Sequence, residues 1–313
     1  MATSAKAKLR TLRFQLAVKP HRDVLYQYLE EKRNSLIQEA VLVTLYRKWS
    51  SRPPYGLVEI GIATYDRRSV NCGFSCPPGP HAKDLLREVW SMHLRIRSNA
   101  HLPSADACPD TFHFGTSVFV SHEEALDLLY QVWHQPIDEM NLEKGYRPII
   151  CLTFGNNDGL GKVRYTDLNF VPMNMDTTIA VLDAQNIAVQ SKITSKADAP
   201  IEYILPIFTM TPCDVGNAGN AATYITIIAF ISVLRDQLYG AESNPRAKPG
   251  QKGVSASNCE HMAAKCSNTD LECDKCLNSM AKWRQENAKT HREGMCVFRR
   301  FIATMSKPSQ EGD

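Results

Sequence analysis

The chain has 313 residues, 43% of them apolar and 22% charged, which is ordinary for a globular protein and allows one large domain with an appendage or two modest domains. Its longest apolar run, residues 221–234, falls short of the roughly 20 residues a membrane helix needs, and the basic N-terminus lacks the apolar core of a signal peptide. No membrane partner and an intracellular location, cytoplasmic or nuclear, are therefore expected.

The net charge of +3 resides in residues 241–313, where 12 basic residues face 9 acidic ones, while residues 1–240 balance to zero. Residues 1–22 hold six basic residues and no acidic one. The stretch 1–21 reads as a mobile basic leader, either merely solvated or an electrostatic arm for nucleic acid.

A folded domain is expected over residues 22–240. Residues 22–40 have the composition of a charged surface helix. Residues 41–49 concentrate β-branched and aromatic side chains and the apolar residues of 57–66 fit a mostly buried position, so they read as two strands of a hairpin around the loop Ser-Ser-Arg-Pro-Pro-Tyr-Gly. A helix is expected near residues 82–90 and a strand at 93–97. Ser121 with Glu124 three residues on forms a capping box opening an amphipathic helix. Residues 147–154 read as a buried strand, and the glycine-rich residues 155–162 as a turn, since they lack the spacing of a phosphate-binding loop. A strand at 177–185 and a short helix at 201–208 follow. Strands alternating with helices indicate a three-layer α/β sheet.

Residues 216–234, GNAGNAATYITIIAFISVL, place turn-forming residues directly before an apolar segment. Gly219 permits unusual backbone angles, either Asn can cap the first turn, and Ala221 and Ala222 permit close approach. Apolar residues all around the helix argue for burial against the sheet.

In order, Glu59-Ile60-Gly61, Phe112-His113-Phe114-Gly115, Leu182-Asp183-Ala184-Gln185 and Asn217-Ala218-Gly219-Asn220 resemble the fungal Gfd-type exonuclease-like family, over residues of about 40 to 240. That resemblance implies a ribonuclease H-like mixed sheet flanked by helices and a place among the DEDDh 3′ to 5′ exonucleases. Such enzymes hold two metal ions with four carboxylates and use a His as base. Here the matching positions are degenerate. Thr44 and Tyr46 stand for the Asp-x-Glu of the first strand, Thr153 and Phe154 for a Gly-His, Gly159 near the third acid with Asp158 beside it, Gly216 for the His and Ala221 for the last Asp. The resemblance thus implies a catalytically inactive protein without magnesium at that site, binding nucleic acid, RNA ahead of DNA, or a protein partner. The alternatives are an active exonuclease whose metal site has migrated to acids such as Glu59, Asp66 or Asp183, and a scaffold without nucleic-acid affinity.

Residues 241–258 read as a linker, residues 259–300 as a cysteine- and histidine-rich segment that carries five of the ten cysteines, and residues 301–313 as a tail. Cys273, Cys276, His291 and Cys296 follow the pattern C-x2-C-x14-H-x4-C, whose ends resemble a zinc knuckle with an insertion, so structural zinc is expected there. Cys259, His261 and Cys266 offer alternative ligands. The competing reading is a helix over residues 277–292 with reduced, unligated cysteines. Trp283, Arg284, Phe298, Arg299 and Arg300 have the chemistry to stack on bases and meet phosphates.

Overall fold

A computed structural model of the chain describes residues 2–30, 36–69, 82–104, 111–155, 168–208 and 210–239. The cysteine-rich segment and most of the glycine-rich loop, including Asp158 and Gly159, lie outside the described residues.

Six strands form one mixed sheet: β1 (Val41–Trp49), β2 (Leu57–Asp66), β3 (Val89–Ile96), β4 (Ser117–Val120), β5 (Ile149–Thr153) and β6 (Thr178–Asp183). Their spatial order is β4-β3-β2-β1-β5-β6. β1, β2 and β3 are antiparallel neighbours, while β4 runs parallel to β3 and β5 and β6 run parallel to β1 and to each other. Helix α7 (Ala218–Tyr239) crosses one face and α4 (His122–Trp133) covers the other. This is the expected α/β sandwich of helices around a mixed sheet.

Side-chain parity divides the core. Leu42, Ala63, Tyr65, Ile150 and Leu152 pack toward α7, whereas Val41, Val43, Leu45, Ile60 and Ile62 pack toward α4. Every residue of β2 is buried, as a central strand covered on both faces requires. Asp66 closes that strand and receives a bidentate pair from Arg147, at 2.5 and 2.8 Å.

The bounds of β1 and β2 agree with the sequence, and the Ser121 capping box forms as expected. Other expectations are corrected. The stretch expected as a leader forms helix α1 (Ala2–Ala17), which packs along β6 with Leu9, Leu12 and Leu16 on one side at helical spacing. The single helix expected over residues 22–40 is α2 (His21–Leu29), which buries Val24, Leu25 and Tyr28. The helix near residue 82 is one turn, α3 (Lys83–Leu86), because pairing of Val89 to Arg95 with β2 starts β3 earlier than its polar residues suggest. Short strand β4, paired on β3, was not separable from its loop in the sequence. After β6, α5 (Ala184–Gln190) and α6 (Ile201–Ile204) complete the layer around α7.

The apolar run is longer than its sequence core suggested. Over Ala218–Leu238 α7 is long and apolar enough to cross a membrane by composition, yet 94% of its most apolar window is buried inside the fold, so it is the core helix. Two threonines are accommodated there by bonding back to the helix and outward to the sheet. Thr223 Oγ1 donates to Gly219 O at 2.9 Å and lies 2.8 Å from Ser91 Oγ, whose hydroxyl it can accept, and Thr226 Oγ1 lies 2.6 Å from Thr44 Oγ1.

Candidate functional site

Where α7 begins, three rows of side chains cross the sheet beneath it. Register aligns Thr44 with Ala63 and Ser91, then Tyr46 with Gly61, His93 and Ser117, then Lys48 with Glu59, Arg95 and Phe119. Because alternate strand residues share a face, all of these lie on the α7 side.

Two glycines let the helix end descend onto this surface. A Cβ at Gly61 would lie 1.8 Å from the Ala218 carbonyl oxygen, and one at Gly219 would lie 2.6 Å from the Phe112 ring and 2.7 Å from His93 Cβ. The Phe-x-Phe-Gly turn supplies the lid: Phe112 packs on His93 with centroids 5.6 Å apart, and Phe114 meets Tyr224 edge-on at 5.5 Å.

The exposed amides of the first turn are all engaged. Asn217 Oδ1 accepts from Gly219 N at 2.9 Å and Asn220 N at 3.1 Å, so Asn217 is the cap. Ala218 N donates to Glu59 Oε2 at 3.0 Å. Asn220 ties the turn to the helix by accepting from His113 N at 2.9 Å and donating to Thr111 O and Asp214 O. A buried carboxylate thus fills the place where a helix N-terminus would otherwise attract an anion.

Glu59 and His93 are fully buried, with 3.1 Å between Oε2 and Nε2. His93 Nδ1 lies 2.7 Å from Ser117 Oγ, giving a chain Glu59–His93–Ser117 across three strands. Burial alone raises the Glu59 carboxyl pKa, but the hydrogen bonds from His93 and Ala218 N, with the nearby charges of His93 and Lys48, hold it below the ordinary value. Its Oε1 is buried without a hydrogen-bond partner. Lys48 Nζ donates to Gly216 O.

The residues singled out in the sequence therefore have definite positions. Thr44 and Tyr46 share the face under α7, Ala221 is buried in the helix above that face, and Gly216 is joined to the same strand through Lys48. Gly159 lies outside the described residues, as do Cys273, Cys276, His291 and Cys296. Thr153 donates to Leu182 O and Phe154 is buried in the core.

The acids considered as substitutes do not gather. Glu59 and Asp66 occupy opposite ends of β2, about 20 Å apart at the rise of a strand. Asp183 caps α5, where Oδ1 accepts from Gln185 N and Gly155 N, each at 2.9 Å, and Oδ2 accepts from Asn186. Among the described residues no group of three His, Cys, Asp or Glu side chains lies close enough to hold a metal ion. The donors on this face do not fit a divalent pair either: the Thr44 hydroxyl is spent on Thr226, and Ala221 has no donor.

Sequence reasoning missed Lys48, His93, Ser117 and the helix-capping role of Glu59. Parity was an available signal for two of them: Lys48 lies an even number of residues from Thr44 in β1 and Glu59 from Gly61 in β2, whereas His93 and Ser117 reach the same face only through the ladders with β2 and β3.

The strand order, the antiparallel β1-β2-β3 unit and the parallel β5 and β6 make a mixed α/β sheet consistent with a ribonuclease H-like fold. The family model described as DNA polymerase III subunit epsilon-like, C-terminal domain, matches residues 42–233, and the chain belongs to that family within the DEDDh exonuclease superfamily. No curated protein matches the chain.

Proposed function

We propose that this chain is a catalytically inactive DEDDh-type protein of the Gfd kind, working in the cytoplasm or nucleus by binding nucleic acid, RNA ahead of DNA. The observation that carries this reading is the fate of the cleft: Thr44 is bonded to Thr226, Ala221 is buried, and Glu59 holds the α7 N-terminus, so the polar groups there serve one another. A second feature supports nucleic acid. In the row of Lys48 and Glu59, Phe119 is 47% exposed on the edge strand, and the Arg95 guanidinium lies 4.7 Å from its ring centre. An exposed ring beside a cation is a stacking platform for an unpaired base, with Arg97 near enough to donate to Phe119 O.

Incubation with labelled single-stranded RNA and DNA in magnesium or manganese is the test of inactivity, and both substrates are expected to remain intact. Degradation that disappears in Asp158→Asn or Asp183→Asn protein would establish the alternative, an active exonuclease with a migrated site. Binding of the same RNA is expected to weaken with added salt and in Phe119→Ala protein. No binding at low salt would leave a scaffold for protein partners.

A further inference from the structure

At the opposite end of the sheet, where β1 and β5 begin, the chain exposes a second surface of different chemistry. The loop after α4 is organised rather than open. Pro136 and Tyr146 form an antiparallel bridge, Ile137 N donates to Gly145 O at 3.0 Å, and Asp138 accepts from Met140 N at 3.0 Å and Lys144 Nζ at 2.7 Å. Asn141 Oδ1 caps the following turn by accepting from Glu143 N at 3.1 Å.

This ordered loop nevertheless presents large apolar groups to solvent. Met140 is 86% exposed, Leu142 69%, Tyr146 49% and Ile137 41%. His134 joins Tyr146 to Tyr130 of α4, with ring centroids 5.0 and 5.9 Å apart, and the Ile137 to Gly145 hydrogen bond sets Ile137 beside this aromatic row, with Met140 and Leu142 on the same short loop. Exposed apolar patches of this kind mark docking sites.

The rim identifies the occupant. Residues 137–146 carry three acidic residues, Asp138, Glu139 and Glu143, against the single basic Lys144, a local charge of −2. That charge repels phosphates and anionic lipid, and it opposes a two-fold contact in which a second copy would bring the same acids together. It favours a protein segment whose apolar side chains are flanked by lysines or arginines. We infer that the surface of Tyr130, Ile137, Met140, Leu142 and Tyr146 docks a basic amphipathic helix of a partner protein. The local hydrogen bonds fix the loop before binding, which lowers the ordering cost, and Met140 adapts its shape to the partner.

This surface is independent of the cleft, and its test uses the full chain. The probe is a fluorescein-labelled helical peptide with leucines along one face flanked by lysines, read by anisotropy beside a twin carrying glutamates in place of the lysines. Expected are binding of the lysine peptide, no binding of its twin, and a loss of about tenfold or more in Met140→Ser/Leu142→Ser protein, whose urea midpoint stays unchanged because both side chains are exposed. Glu139→Lys/Glu143→Lys protein should reverse the preference between the two peptides. Failure of the lysine peptide to bind, binding that the serine variant leaves intact, or a dimer in sedimentation that this variant dissociates would each overturn the inference.

Discussion

Glu59 is a fully buried carboxylate, yet it stays below the usual glutamate range. Burial works against its charge, and His93, the first amide of α7 and the field of Lys48 together outweigh that cost. Asp66 follows the same logic at the other end of β2: burial raises its pKa and the Arg147 guanidinium lowers it further. Because both are depressed in the folded state, the unfolded chain binds more protons as the solution is acidified. Their stabilisation is complete above about pH 4, the ordinary carboxylate value, and is lost as pH falls through the folded values. Urea denaturation across that range should show the midpoint falling on acidification. Glu59→Gln protein should be less stable by about 1–3 kcal/mol at pH 7, through weakened bonds to His93 and Ala218, and should lose less on acidification. An unchanged midpoint at neutral pH would show that the carboxylate charge contributes nothing there.

At the scale of elements, the contact between β2 and α7 decides how closely the helix can lie on the sheet. Gly61 meets backbone, and a methyl group 1.8 Å from the Ala218 carbonyl cannot be relieved by turning a side chain. Gly61→Ala is therefore expected to cost about 3 kcal/mol, at or above the upper end of ordinary overpacking, read from the denaturation midpoint. Loss of the His93 to Ser117 hydrogen bond should accompany the helix displacement, visible as a shift of the His93 ring resonances. The sequence showed both partners of this contact but not their meeting. β1 and β2 were legible to the residue because their branched, aromatic and largely apolar side chains between evident turn residues leave one reading. The α7 core was legible because apolar groups surround it. β3 was misplaced because Lys83 to Trp90 has a helix-like local pattern that only the ladder with β2 overrides. Glu59 and Ala218 are 159 residues apart, so nothing local in either segment announces their bond.

For the whole molecule, α1 extends the domain beyond the stretch that the sequence marked as folded. Its charged positions look like a solvated leader, and the three leucines that seat it on β6 do not stand out among four basic residues. The domain is also larger than the family match, which begins at residue 42, after α1 and α2. Outside the described residues, we propose structural zinc on Cys273, Cys276, His291 and Cys296. Metal analysis of the purified full chain should give one zinc per chain as an order-of-magnitude stoichiometry. Cys273→Ser/Cys276→Ser protein should lose it, and unchanged zinc content would remove these ligands from consideration.

The pairing of Thr44 with Thr226 also bears on whether a nuclease can be rebuilt in this fold. An acid introduced at Thr44 alone would be fully enclosed and pressed against a hydroxyl already committed to Ala222 O. An acid at Ala221 would enter a close-packed helix face on similar terms. Either substitution alone is destabilising, with too few acids beside it to reward the cost by binding a metal. On the proposed inactive reading, chains with a single acid at Thr44 or at Ala221 are therefore expected to be less stable than the present one, read from the urea midpoint.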